Sequence, residues 1–263
     1  MMTSITRDNQ VKKREKTHRG IHVLAAAFWI GIWQLASMKL GQEILLASPV
    51  SVVKALFRVI FTEDFWCSVA FSFGRIVLGF ILALLAGIIL SVLSYLSAAV
   101  RILMNPLITV IKSTPVASFI ILCLIWIPSR NLSVFIAFLM VLPVVYTNLL
   151  EGIRQTDRKL LQMADVFQVG MGKRIRYIYV SQILPYFVTA CRLSLGLCWK
   201  AGVAAEVIGV PSGSIGEKLY HAKIYLNTPD LFAWTIVIIV ISFVFERLFL
   251  WVIKQAARIA EQH

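Results

Sequence analysis

The feature that most limits what this chain can become is the way its charges are spaced. Apolar runs at 21–38, 71–95, 104–127, 132–150, 185–208 and 231–252 alternate with short polar segments. Runs of this length suit a helix crossing a hydrocarbon layer of about 30 Å. In lipid the backbone must satisfy its own hydrogen bonds, so a succession of such runs folds as helices. The expected class is all-α, a polytopic membrane protein with six transmembrane helices. A cleaved signal peptide is the competing reading of the first run, since basic residues precede it and Ala36-Ser37 are small.

The net charge of +13 invites a nucleic-acid reading. Where the charges fall argues against it. Lys12, Lys13, Arg14, Lys16 and Arg19 precede the first run, and Arg158, Lys159, Lys173, Arg174 and Arg176 lie between the fourth and fifth. Lys254 and Arg258 follow the last. The opposite set of segments holds fewer basic residues, among them Lys39, Lys54, Arg130 and Lys218. The excess places both termini in the cytoplasm of a multi-pass protein of the cell membrane. The domain reading is a cytoplasmic tail over 1–20, a transmembrane domain over 21–254 and a cytoplasmic tail over 255–263. Ser48-Pro49 opens an amphipathic segment expected to lie at the outer surface.

The four cysteines form no CxxC pair and the four histidines are scattered, so no metal site or disulfide framework is expected. No GxxxxGK[ST], GxSxG or HExxH occurs. Catalytic residues, cofactors and metals are therefore all expected to be absent, and energy must come from a partner or a gradient.

Polar and small residues inside the spans carry the rest of the information. Gly79, Ala83, Gly87 and Ser91 recur every four residues, a ridge that lets two helices approach closely. Lys112-Ser113-Thr114-Pro115 marks a break in the third span. The fifth span is the most polar. Arg192, Lys200 and Glu206 lie on two adjacent ridges, and a charge facing lipid there costs about 2.5–3.5 kcal/mol on an insertion scale. Lys112, Arg192, Lys200 and Glu206 are accordingly expected to face a pathway or a subunit interface.

The segment Thr156–Pro185 is the longest polar interruption in the second half of the chain. Thr156 or Asp157 can cap a helix over which Leu160, Ala164 and Phe167 form an apolar stripe. Gly170 and Gly172 are expected to break it. A second stripe begins at Ile175 and Ile178, and Pro185 is expected to open the fifth span.

This loop, 156–182, resembles the coupling loop of permease subunits of ATP-binding-cassette importers, whose pattern is Glu-Ala-Ala, three residues, Gly, nine residues, Ile-x-Leu-Pro. Gln162, Met163, Ala164 and Gln168 stand at the Glu, Ala, Ala and Gly positions; Ile178 matches, and Val180-Ser181 replace Leu-Pro. The resemblance runs from about Leu78 to the C-terminus. The run LPVVYTNLLEGI is similar to the family's Phe-Pro-x-x-x-Asn-x-x-x-Gly lead into the loop. Arg192, Trp199 and Ala205-Glu206 match the fifth helix, and Ser214-Ile215-Gly216 stand where the family has Gly-Leu-Gly.

The resemblance implies a type I importer (MetI-like) fold of the nitrate, sulfonate, taurine and thiamine-precursor branch, and a transport subunit rather than an enzyme. It also implies a second permease copy, a cytoplasmic ATPase dimer and an extracytoplasmic substrate-binding protein as partners. Gln162, Ala164, Asp165, Phe167, Gln168 and Gly170 become the expected ATPase contact. A secondary active transporter and a membrane-embedded enzyme are the alternatives. Few carboxylates lie within the spans and no inverted repeat is evident, which disfavours the first. The lack of a paired acid and base disfavours the second.

Overall fold

The computed structural model describes residues 24–25 and 27–262. The expected N-terminal tail and the start of the first span lie outside those residues. Regular structure among the described residues is helical throughout. The chain divides into two compact units, one of 1–61 with 222–233 and one of 62–221 with 234–263.

In the smaller unit, helix α1 covers residues 27–40 and α2 covers Pro49–Ile60. Ser48 caps α2, its hydroxyl accepting from the Ser51 amide at 3.1 Å, and Pro49 takes the first helical position, where its missing N–H costs nothing. The Trp33 indole N–H donates to the Ala47 carbonyl at 3.0 Å, and Arg58 pairs with Asp230.

The larger unit is built on α3 (Glu63–Leu96), α6 (Ser129–Arg154) and α9 (Val180–Gly209). Its core joins Ile76 and Phe80 of α3, Val141 and Val145 of α6, and Leu195 and Trp199 of α9. Phe245 and Phe249 of α11 (Thr228–Gln262) pack against that core, with Phe249 edge-on to Phe80. The ridge Gly79, Ala83, Gly87 and Ser91 is buried and turned to α6 of the same chain. A Cβ on Gly79 would stand 2.3 Å from the Val134 carbonyl oxygen, and one on Gly87 would stand 2.6 Å from Val145 Cγ1.

Among the described residues, four stretches are long and apolar enough to cross a membrane: α3, α6, Met171–Gly209 and Thr228–Gln255. The expected third span is two helices, α4 (Ala98–Ser113) and α5 (Val116–Cys123), bent by 105°; counted as one span they make a fifth. The bend falls at Thr114-Pro115. Thr114 is extended (φ −85°, ψ 131°), as the residue before a proline must be, and Pro115 has no amide to continue the ladder.

Several expected boundaries move. The third span, expected to begin near residue 104, starts with α4 at Ala98, directly after the extended Ser97 that ends α3. Pro185 lies inside α9 instead of opening it. The helix enters from the preceding loop through α8 (Met171–Arg174) and a π turn (Ile175–Tyr179). A proline is tolerated there because a membrane helix can readjust locally around one lost bond. The expected C-terminal tail continues α11 as helix to Gln262. Between α9 and α11 the polar segment holds a further helix, α10 (Ile215–Ile224).

Candidate functional site

Two regions of the larger unit collect the singled-out residues. The first is the loop after α6. Asp157 caps α7 (Arg158–Val166), its Oδ1 accepting from the Lys159 amide at 2.8 Å. The Asp157 amide donates to Gln182 Oε1 at 2.8 Å, which ties the start of α7 to α9. Gly152, just before the loop, lets α6 and α9 touch: a Cβ there would lie 2.9 Å from Tyr186 Cβ.

The turn that ends α7 does not use Gly170 or Gly172. It is made by Gln168, whose φ of +50° is left-handed. The Val169 amide donates to the Ala164 carbonyl at 2.9 Å and the Gln168 amide donates to the Asp165 carbonyl at 3.1 Å. Those two bonds and the left-handed residue make a Schellman C-cap, in which glycine is preferred because a Cβ resists this conformation. Gln168 stands at the position of the family glycine and has its backbone geometry without its side-chain freedom. Gly170 instead precedes α8 as its cap residue.

Arg174 holds the turn shut. Its Nε donates to the Val169 carbonyl at 2.7 Å, Nη1 to Asp165 Oδ1 at 2.5 Å and Nη2 to the Ala164 carbonyl at 3.2 Å. One planar guanidinium thus spans the last turn of α7, favoured both as a cation at a helix C-terminus and as a multiple donor. No sequence spacing rule points to this residue, because Asp165 and Arg174 are nine positions apart across a turn. The expected stripe also divides. Ala164 is 1% exposed, whereas Phe167 is 73% exposed. The outer knob is Met163, Val166, Phe167 and Met171, and Gln162 lies exposed beside it.

The second region surrounds α9. The structure does not bring Lys112, Arg192, Lys200 and Glu206 together. Lys112, Arg192 and Lys200 are exposed, and the Lys112 ammonium donates to Thr147 Oγ1 at 3.4 Å. Glu206 is wholly enclosed within the chain. Its Oε2 accepts from the Ser72 hydroxyl at 2.6 Å and from the Gly216 amide at 3.3 Å, and the Ser72 oxygen accepts from the Ile215 amide at 2.9 Å. The next free amide of α10, on Glu217, donates to Ser214 Oγ at 3.0 Å, while Glu217 Oε2 accepts from the Gly213 amide at 2.6 Å. The orphan donors of the first turn of α10 are therefore met by one carboxylate and two hydroxyls. A carboxylate at the positive end of a helix is also favoured by the helix dipole.

Gly216 is what lets α10 come this close. A Cβ there would lie 2.3 Å from Glu206 Cβ and 2.4 Å from its carbonyl carbon. Ser72 was not singled out from the sequence, although it sits seven residues before Gly79 on the same buried face of α3. Among the described residues no group of three or more His, Cys, Asp or Glu side chains is placed to hold a metal.

Comparison with known proteins bears on both regions. Residues 76–258 match the profile of the family described as binding-protein-dependent transport system inner membrane component. A Bacillus subtilis (strain 168) chain named SsuC, for aliphatic sulfonates transport, is 28% identical over 234 residues, covering 88% of this chain and 83% of the relative. The taurine transport system permease protein TauC of Escherichia coli (strain K12) is 26% identical, covering 81% of this chain and 80% of its own. The nitrate import permease protein NrtB of Synechococcus elongatus is 26% identical, with coverages of 76% and 75%. Among solved structures, the crystal structure of an amino acid ABC transporter with histidines superposes with a TM-score of 0.56 at 18% identity. That superposition covers 77% of this chain and 97% of the other.

Proposed function

This chain belongs to the family of binding-protein-dependent transport system inner membrane components, the permease subunits of ABC importers, and on that premise we propose that two copies of it line the path of a small oxyanion. The family is one of transport subunits rather than enzymes. Membership implies a cytoplasmic ATPase and an extracytoplasmic substrate-binding protein as partners. A secondary transporter is not what the relatives are.

The relatives named for aliphatic sulfonates, taurine and nitrate share a compact anionic group on a small solute. The exposed cations Lys112 and Lys200 would suit such a solute, and their placement in or beside spans needs water or protein opposite them. Glu206, enclosed and bonded to Ser72 and Gly216, is proposed as the anchor of α10. Both termini are proposed to be cytoplasmic, with the tails at 1–20 and 255–263 flanking the transmembrane domain.

The observation that carries the coupling proposal is the knob of Met163, Val166, Phe167 and Met171, held out on a locked turn. Apolar side chains on a cytoplasmic loop either lie on lipid or enter a partner's groove, and helix-in-groove docking uses such anchors. The ATPase contact is therefore proposed over Gln162–Gly170, with Phe167 as its anchor. Asp165 would position the knob from behind through Arg174, and Ala164 would seat it.

The test is the Phe167→Ala variant, assembled with its ATPase and reconstituted in liposomes with binding protein and substrate. The expected result is a normally inserted permease that co-purifies less ATPase and gives less substrate-stimulated ATP hydrolysis. Wild-type values in both assays would remove Phe167 from the contact, and loss on changing Lys173–Tyr179 instead would move the contact to the second half of the loop.

A further inference from the structure

The knob and the Glu206 anchor leave one concentration of charge without a role. On the open side of α9 and α11 an open groove of about 910 Å³ is lined by Arg192, Glu246, Arg247, Leu248, Trp251 and Lys254, among others. Three cations thus meet one carboxylate. Arg247, Trp251 and Lys254 follow each other at helical spacing on α11, and all three are exposed. None of the three cations takes part in an ion pair among the described residues. Arg247 lies over the face of Phe243, 4.9 Å away.

The groove does not stand alone. The same side of α11 continues toward its N-terminal end as bare hydrocarbon: Val240, Phe243, Val244 and Leu248 are each about half exposed or more. Lys254 stands at the end of the apolar stretch Thr228–Gln255, the end that the basic loops assign to the cytoplasm. A tryptophan at that level is the usual marker of the boundary between acyl chains and headgroups.

We propose that this groove is a binding site for the phosphodiester headgroup of an anionic phospholipid of the inner leaflet. Arg192, Arg247 and Lys254 hold the phosphate, and an acyl chain lies along the apolar face of α11. Three features favour this occupant. Cations outnumber carboxylates, so the ligand carries negative charge. The apolar face runs on from the basic groove, so the ligand is amphipathic, which a free oxyanion is not. A second copy of the chain related by a two-fold axis would set this patch against itself and bring like charges together. Basic recesses between membrane helices on the cytoplasmic side are the recognised setting for such headgroups.

The experiment uses the permease assembled with its ATPase, in nanodiscs of phosphatidylcholine with or without phosphatidylglycerol, with bound lipid counted by native mass spectrometry after transfer to detergent. The expected result is selective retention of phosphatidylglycerol, reduced about fivefold for each of Arg192→Gln, Arg247→Gln and Lys254→Gln. Because these side chains are exposed, the Tm of each variant in lipid-free detergent should match the parent. Equal retention of the two lipids, or retention unchanged in the triple variant, overturns the proposal. Displacement of the lipid by inorganic phosphate beyond that by chloride at equal ionic strength reassigns the groove to a soluble anion. A disulfide between copies carrying Trp251→Cys reassigns it to a second copy.

Discussion

Glu206 and Phe167 reverse the usual order of burial. The carboxylate is 0% exposed and the phenyl ring 73% exposed. Each is misplaced by its own chemistry and held by its surroundings. Around Glu206, two helices bring hydroxyl and amide donors to a single oxygen. Around Phe167 the backbone turn and the Arg174 guanidinium set its position from behind, without touching the ring's own outer face. A buried polar group is a matter of internal architecture, since its partners must come from the same chain. An exposed apolar group leaves its partner to be supplied by another molecule. Loss of the first should therefore be read in stability, and loss of the second in association.

The sharpest way to break that contrast is at Gly216. Gly216→Val places a branched side chain where a Cβ already stands 2.3 Å from Glu206 Cβ, against backbone that cannot swing aside. It should destabilise the permease by about 3 kcal/mol, read as a fall in Tm in detergent and in membrane yield. A variant as stable as the parent would show that α10 is free to lift from α9.

Next in size is Glu206→Ala, which leaves the Ser72 hydroxyl and the Gly216 amide without their acceptor. About 2 kcal/mol should be lost. Glu206→Gln keeps an acceptor oxygen and should recover most of that stability by the same thermal measurement. If glutamine fails as badly as alanine, the charge itself, and not the hydrogen bonding, holds α10.

Phe167→Ala should do the opposite of both. Its stability should stay within about 0.5 kcal/mol of the parent, as for an exposed site, and its Tm should match. Affinity for the ATPase should fall about 30-fold, the effect of an anchor worth about 2 kcal/mol. A large Tm loss with unchanged affinity would make Phe167 a structural residue of the loop.

The smallest effect is a gain. Gln168→Gly removes a Cβ from a left-handed residue and should stabilise the loop by about 1 kcal/mol, seen as slower amide exchange at Val169. Faster exchange would mean that the glutamine side chain contributes more than its backbone conformation costs.

The sequence was legible where one segment could settle its own conformation. Alternating apolar runs and basic segments specify membrane helices whatever their neighbours are, because lipid offers no other partner for the backbone. Ser48-Pro49 as a helix start and the break at Thr114-Pro115 could be read for the same local reason. The turn after α7 was misread because two glycines advertised a break, while its position is set by the bonds that Ala164 and Asp165 accept and by an arginine beyond the turn. Pro185 misled in the same way, since a helix already entered from the loop carries through one missing amide.

The residues named for the sites divide along the same line. The run Gln162–Gln168 at the place of the family motif, the polar character of α9 and the presence of a carboxylate at Glu206 belong to the sequence alone. That Glu206 turns inward while Arg192 and Lys200 turn outward was decided by tertiary structure. Helical spacing puts residues on a face but says nothing of what stands opposite, and only folding brought Ser72 from α3 and the amides of α10 to that carboxylate. The sequence fixes which groups need partners. The packing of one helix on another decides which of them find a partner inside the chain and which are left facing out.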